Sequence, residues 1–177
     1  MKTLIIYFSY SGNNRFLAEH LAKRMESDLC PIVEQKRRTL LTILLDMLFR
    51  REPKIKPLEC AVSDYEQIIL VAPIWGSKLA TPLKSLIKSE KFALSSYSFL
   101  TFCGYDRPEQ KEGITKELSA LAGRSPKAVA ELKISDLFPA EKRNDIKKIT
   151  RYRATAADLV KLAPQIDSFI QLVRAAP

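Results

Sequence analysis

The chain opens with the apolar run Thr3-Leu4-Ile5-Ile6-Tyr7-Phe8, which ends abruptly in the polar stretch Ser9-Tyr10-Ser11-Gly12-Asn13-Asn14. The run is short, rich in β-branched and aromatic residues and without polar alternation, so it predicts a strand buried on both faces of a parallel sheet. A helical pattern follows at once and places Leu17, Leu21 and Met25 on one stripe. The stretch therefore predicts a strand, a short loop and a helix in immediate succession.

The loop between this strand and this helix has the composition of a phosphate site. It combines the hydroxyls of Ser9 and Ser11, the flexible Gly12 and the amides of Asn13 and Asn14. The N-terminus of a helix has unpaired N–H groups and the positive end of the macrodipole, which together favour an anion. The loop lacks the Lys and the second Gly of an NTPase P-loop, which indicates a terminal phosphate monoester. An ordinary turn with an N-cap is the alternative.

Two more strands end in a similar way. Residues 68–72 are apolar and lead into Pro73-Ile74-Trp75-Gly76, and a helix is expected next, with Thr81 as its N-cap and Pro82 at its first position. Residues 97–102 predict another strand, followed by the loop Cys103-Gly104-Tyr105-Asp106 and a helix over about 110–121. Because parallel strands bind ligands at their carboxyl ends, these loops are expected to meet in one site.

Two of these loops suit a flat ring. Trp75 and Tyr105 offer aromatic faces, and backbone N–H groups could reach the polar edge of a ring beside Gly76 and Gly104, where no side chain intervenes. The alternative is that both aromatic residues belong to the core or the surface. The three loops taken together favour ring binding over this alternative, and either aromatic residue alone would carry little weight.

At the first loop the sequence resembles the flavodoxin-like family, whose signature is [ST]-x-[ST]-G-x-[ST]. Ser9-x-Ser11-Gly12-x-Asn14 follows this signature except at Asn14, where the family usually has Thr and where a carboxamide can still donate to a phosphate oxygen. The resemblance extends over most of the chain. It implies that flavin mononucleotide (FMN) is held by two groups of residues, the phosphate group Ser9, Ser11, Gly12, Asn13 and Asn14 and the ring group Pro73, Ile74, Trp75, Gly76, Cys103, Gly104, Tyr105 and Asp106.

The expected fold class is α/β, a single flavodoxin-like domain over residues 1–177. With further strands at 29–33 and 128–134, the chain has the elements of a three-layer, doubly wound, five-stranded parallel sheet of order 2-1-3-4-5. Residues 135–144 are expected to form a polar connection. The last helical pattern, over 156–170, is expected to kink or break at Pro164.

The residues favour cofactor chemistry over catalysis by side chains. No Ser-His-Asp or Cys-His arrangement and no metal cluster can be assembled from the single His20, which excludes hydrolysis. The resemblance implies an FMN-binding protein that transfers electrons between redox partners. One alternative is an FMN-dependent NAD(P)H oxidoreductase acting on quinone-like acceptors. Another, to which the unusual Asn14 points, is a flavin-free interaction module of the same fold.

The sequence also predicts where the protein works. Three widely spaced cysteines, Cys30, Cys60 and Cys103, form no disulfide framework and favour a reducing compartment. Met1-Lys2 leads directly into the first strand and leaves no room for a signal peptide, and no apolar run has the ~20 residues of a membrane span. A cytoplasmic location is expected.

Residues 39–49 form a very apolar segment with basic residues at both ends. The flavodoxin-like family has its second helix at this place, so we expect this segment to pack against the sheet and Leu44→Glu to unfold the domain. The alternatives are that residues 40–49 form a helix on a membrane surface or in a dimer contact.

The net charge of +9 departs from the acidic surfaces typical of the family's electron carriers. It favours a redox partner with an acidic face, anionic lipid or a polyanion. The basic clusters lack aromatic residues on which bases could stack, so nucleic acid is the least favoured of these.

Overall fold

The computed structural model describes residues 2–36, 39–49, 51–104 and 107–175. Its centre is a five-stranded parallel sheet of order β2-β1-β3-β6-β7, which confirms the expected 2-1-3-4-5 order once a two-stranded hairpin, β4-β5, is set aside. The strands are β1 (Thr3–Tyr7), β2 (Asp28–Pro31), β3 (Gln67–Val71), β4 (Ile74–Trp75), β5 (Lys78–Leu79), β6 (Tyr97–Cys103) and β7 (Val129–Lys133).

The apolar runs occupy the middle of the sheet, as their composition predicts. Ile5 of β1 pairs with Leu29 of β2 and Ile69 of β3, and every residue of β3 and β6 is buried. Helices cover both faces of the sheet, and the sheet separates the core into two clusters. The helices are α1 (Asn13–Met25), α2 (Leu40–Phe49), α3 (Thr81–Ser89), α4 (Gln110–Ala122), α5 (Ile146–Arg151), α6 (Ala156–Lys161) and α7 (Ala163–Arg174).

The two clusters show which helices lie on which face. Leu83 of α3 and Leu118 of α4 belong to one cluster, and Leu17 of α1 and Phe169 of α7 belong to the other. The last helical pattern is broken as expected, because Leu162 ends α6 and Pro164 lies in the first turn of α7. The structure therefore has a helix layer on each side of the sheet.

Some local expectations were wrong. Thr81 is the first residue of α3 and Ala80 is its N-cap, so the Thr81 side chain does not cap the helix. Short 3-10 turns at Ile134–Leu137 and Ala140–Lys142 occupy much of the connection after β7, and α5, which the sequence pattern did not indicate, follows it. Both errors concern short elements, whose ends depend on tertiary contacts more than on local pattern.

The expectation that residues 39–49 pack against the sheet was also wrong. Leu44 is 62% exposed, and no described side chain of α2 belongs to either core cluster. Instead, the segment that follows α2 covers this part of the sheet: Ile55 and Leu58 pack against the core, and Ile55 forms an antiparallel bridge with Glu34. None of the helices in the described ranges is long and apolar enough to cross a membrane.

Candidate functional site

The loops that follow β1, β3 and β6 surround one cleft at the carboxyl edge of the sheet. Its volume is about 940 Å³, within the ~300–1,000 Å³ of ordinary ligand sites. The residues expected to bind a ligand that line it are Ser9, Ser11, Asn13, Asn14, Pro73, Ile74, Trp75, Gly76, Cys103 and Gly104. Gly12 is the N-cap of α1, in the same loop as Ser11, and Tyr105 and Asp106 lie outside the described residues.

The N-terminus of α1 offers unpaired donors to this cleft. Gly12 is its N-cap, with a left-handed φ of 96°, and has no side chain that could cap the helix. The first intrahelical bond joins Phe16 N–H to the Gly12 carbonyl, so the N–H groups of residues 13–15 have no partner within the helix. The Gly12 N–H donates to Ser9 Oγ at 3.1 Å, which closes the loop. This geometry favours a bound anion.

The Asn14 side chain ties this helix to β6. Its Oδ1 accepts from Phe102 N–H at 2.9 Å and its Nδ2 donates to the Phe102 carbonyl at 3.3 Å. The pairing of β3 with β6 ends at Val71 and Leu100, so the amide of Asn14 satisfies backbone groups that β3 no longer reaches. The Asn14 side chain therefore makes the two hydrogen bonds that a neighbouring strand would otherwise make to Phe102. This role needs a donor and an acceptor on one side chain.

The Asn13 side chain likewise binds backbone groups, here those of the segment that follows α5. Its Nδ2 donates to the Tyr152 carbonyl at 3.0 Å, and its Oδ1 accepts from Ala154 N–H at 3.0 Å. These two contacts hold the residues on both sides of Arg153, whose side chain lines the cleft. The sequence interpretation assigned both asparagines to phosphate binding and did not anticipate these backbone contacts.

Asp158 anchors the other end of this segment. Its Oδ2 accepts hydrogen bonds from the Tyr152 hydroxyl, the Thr155 N–H and the Thr155 hydroxyl, each at 2.8 Å, and forms the capping box of α6. Burial opposes ionisation, but these hydrogen bonds outweigh it and hold the pKa of Asp158 below its ordinary value. Burial, and then the bond to Asp158, raise the pKa of Tyr152 to about 12.

Asp158→Asn tests this anchor through its pH dependence. A depressed folded-state pKa stabilises the fold above the unfolded-state pKa of about 3.9, and this contribution is lost as the pH falls through the folded-state pKa. We expect the variant to lose about 1–2 kcal/mol of unfolding free energy at neutral pH, and the gap to the parent to close in acid. Urea unfolding across pH measures this, with the exposed Asp136→Asn as the control. A gap that stays constant down to acid pH would contradict the assignment.

Six further residues that line the cleft come from outside the three predicted loops, and the sequence interpretation missed them. They are Glu34, Ile43, Ile134, Ile149, Thr150 and Arg153. Arg153 brings a positive charge to the side of the cleft where Asn13 lies, and its Nη1 donates to the carbonyls of Arg151 and Tyr152. No local signal points to these residues, because they come from segments remote from the first loop in the sequence.

Trp75 is presented by a hairpin that the sequence interpretation described only as a loop. Gly76 and Ser77 have φ values of 56° and 59°, which is the type I′ geometry of a two-residue turn. The Trp75 ring meets Phe8 edge to face, with centroids 5.9 Å apart. Glu117 of α4 accepts from Leu79 N–H at 2.9 Å and so fixes the second strand of the hairpin. The indole is thereby held at the cleft.

A second groove, of about 1040 Å³, runs along α4, β7 and α7. Its lining carries as many basic as acidic side chains, so its charge does not favour a phosphate. The acidic residues are Glu109, Glu112 and Glu131, and the basic ones are Arg107, Lys111 and Lys133. The 940 Å³ cleft is the one on which the three predicted loops converge, and it brings the uncapped N-terminus of α1 together with the hydroxyls of Ser9 and Ser11.

No family model and no curated protein matches the chain by sequence. Solved structures do match it. It is similar to the flavoprotein of Lactobacillus acidophilus in complex with FMN, with a TM-score of 0.62 and 22% identity over 73% of this chain and 92% of that one. It is also similar to a flavoprotein of Bacteroides uniformis, with a TM-score of 0.66 and 20% identity over 83% and 97% of the two chains.

A flavoprotein of Bacteroides eggerthii gives a TM-score of 0.65 and 20% identity, and covers 92% of this chain and 98% of its own. These likenesses agree with the strand order of the sheet. The chain has the flavodoxin-like fold.

Proposed function

We propose that this protein binds FMN non-covalently in the 940 Å³ cleft and transfers electrons between redox partners. The observation that carries the proposal is the convergence of three loops on one cleft, with an uncapped helix N-terminus at one side and Trp75 at another. The fold shared with the FMN-bound flavoprotein of Lactobacillus acidophilus supports the choice of ligand.

The phosphate of FMN is proposed to lie at the N-terminus of α1. Ser9 and Ser11 line this part of the cleft, and the N–H groups of residues 13–15 are available as donors. Arg153 adds a charge of the required sign. The amides of Asn13 and Asn14 already bind backbone groups, although each nitrogen has one further N–H. Hydroxyls and backbone donors are therefore the main phosphate ligands of the proposal.

The ring of FMN is proposed to lie between the Trp75 hairpin and the Cys103-Gly104 loop. The indole of Trp75 offers an apolar face. Gly104 keeps the opposite loop narrow, because a Cβ there would come within 3.3 Å of Ile149 Cγ2. The left-handed conformation of Gly76 permits the tight turn beside the ring.

FMN when bound supplies the chemistry, since it accepts and releases electrons that ordinary side chains cannot carry. The protein binds the group, orients it and excludes water from one part of it. The net charge of +9 supports a redox partner with an acidic docking face.

Titration of the purified protein with FMN, followed by flavin fluorescence and the visible spectrum, tests the proposal. We expect saturable binding of one FMN per chain. Ser11→Ala should weaken binding by about 0.5–3 kcal/mol, or roughly 2- to 150-fold, because one hydrogen bond to a charged group is lost. The exposed Ser168→Ala, on α7, is the matched control and should bind as the parent does.

Two outcomes would contradict the proposal. A protein that does not take up FMN would favour the flavin-free interaction module. Unchanged affinity in both Ser9→Ala and Ser11→Ala would place the phosphate elsewhere. Steady oxidation of NADPH by the FMN-loaded protein would instead favour the NAD(P)H oxidoreductase and argue against a simple carrier.

A further inference from the structure

Helix α2 has its hydrophobic face turned away from the protein. Leu41, Leu44, Leu45 and Leu48 follow the i, i+3, i+4, i+7 spacing of a single helical stripe. Of these, Leu41, Leu44 and Leu48 are exposed, as is Phe49 beside them, and Leu45 is half-buried. A stripe of this spacing normally packs on a core, and here it faces solvent.

The other side of α2 faces the protein and is partly polar. Ile43 lines the cleft that also contains Trp75, and Thr42 and Asp46 line a neighbouring groove with Pro53 and Lys54. Ile43 and Asp46 are half-buried on the protein side of the helix, whereas Leu41, Leu44 and Leu48 face solvent. This arrangement leaves the leucine face in need of a partner.

The size of this face helps to choose the partner. The exposed parts of Leu41, Leu44, Leu48 and Phe49 amount to roughly 500 Å². This is the size of the largest apolar patch on a typical monomer, ~300–600 Å², which is often functional, and it is below the ~800 Å² per partner that a standard protein interface buries. A second copy of the chain would find too little area in this helix alone. A lipid surface requires no such minimum, because a short amphipathic helix can lie in the headgroup region.

The charges around α2 favour a negatively charged lipid surface. Residues 34–56 contain seven basic residues and three acidic ones, and the basic residues lie before and after the helix. Lys36, Arg51, Lys54 and Lys56 are exposed. The Arg51 guanidinium lies 5.0 Å from the centre of the Phe49 ring, which puts positive charge next to the apolar face. Basic residues that flank an apolar helix attract anionic headgroups while the apolar side chains insert.

We propose that α2 docks this protein on anionic membranes through its leucine face. Because Ile43 lines the cleft on the side of α2 away from that face, one helix separates the cleft from the lipid. Docking would then hold the cleft next to the membrane surface. The proposal does not depend on FMN, since it concerns only the outer face of the helix.

Co-sedimentation of the full chain with vesicles tests the proposal. We expect binding to phosphatidylcholine vesicles that contain phosphatidylserine, little binding to pure phosphatidylcholine, and weaker binding at high salt. Leu48→Glu should lower the partition constant at least about tenfold, since a charged side chain replaces an inserted apolar one. The matched control is Val160→Glu on α6, because Val160 is 75% exposed against 71% for Leu48 and lies outside the leucine face. This control should bind as the parent does.

Three results would overturn the proposal: no binding of the parent to phosphatidylserine vesicles, equal binding by Leu48→Glu, or equal loss in Val160→Glu. Sedimentation equilibrium without lipid adds a fourth. A dimer of the parent that Leu48→Glu converts to a monomer would show that a second copy covers this face. Since the lipid and salt dependence is measured on the parent protein, the proposal stays testable even if a variant folds poorly.

Discussion

Replacing Asn14 by alanine should lower the free energy of unfolding by about 2–4 kcal/mol, because it leaves the buried Phe102 N–H without its acceptor and takes one donor from the Phe102 carbonyl. Asn14 is 3% exposed, so water cannot replace the lost amide without a rearrangement. Urea unfolding of the flavin-free protein measures the effect separately from ligand binding.

The control for this substitution is Asn144→Ala, because Asn144 is an exposed asparagine in the connection before α5. We expect it to change the unfolding free energy by less than about 0.5 kcal/mol. Equal midpoints for the parent and Asn14→Ala would show that the Asn14 amide does not support β6. If Asn14→Ala lost affinity for FMN without losing stability, Asn14 would instead bind the phosphate directly, as the family signature implies.

Phe169→Ala should cost about 3–5 kcal/mol of unfolding free energy, a large part of the ~5–15 kcal/mol available to a protein. Phe169 is 1% exposed and lies on α7 in the cluster that also contains Leu17 and Leu21 of α1. Its removal leaves a cavity that the surrounding side chains fill only in part. Thermal or urea unfolding monitored by circular dichroism checks the result.

Phe92→Ala is the matched control, since it makes the same chemical change at a side chain that is 93% exposed. It should leave stability almost unchanged. A loss in Phe169→Ala no larger than that in Phe92→Ala would mean that α7 does not pack on the sheet as the structure describes. An intermediate loss would indicate that the site partly collapses around the smaller side chain.

Asn14 also shows why a departure from a sequence signature need not weaken a site. The flavodoxin-like signature usually has Thr at this place, and an asparagine suggested either a weaker phosphate donor or a lost cofactor. In the structure the Asn14 amide donates to the Phe102 carbonyl and accepts from the Phe102 N–H. It does so through two different atoms, whereas a threonine has only one hydroxyl oxygen for both roles. The hydrogen bonds from Asn14 to β6 therefore explain why an asparagine stands at this position.

The sequence by itself determined the sheet and the place of the cleft. The apolar runs of β1, β3 and β6 predict buried parallel strands from their own composition, and parallel strands have their carboxyl ends at one edge. The sequence could therefore predict that the polar loop before α1 meets the loops after β3 and β6, without any knowledge of side-chain contacts. Local pattern suffices for these strands, because the composition of each apolar run by itself indicates that the run is buried.

Only the tertiary structure decided which groups each loop contacts and which way α2 faces. Asn14 meets Phe102 at a separation of 88 residues, and Asn13 meets Tyr152 at a separation of 139. Asn13 also brings Arg153 to the cleft, although no feature of the sequence near Arg153 indicates a binding role. The leucine stripe of α2 is visible in the sequence, but periodicity states only that a face is apolar. Whether that face meets the core or the solvent depends on the space that other segments leave, and here Ile55 and Leu58 already cover the sheet.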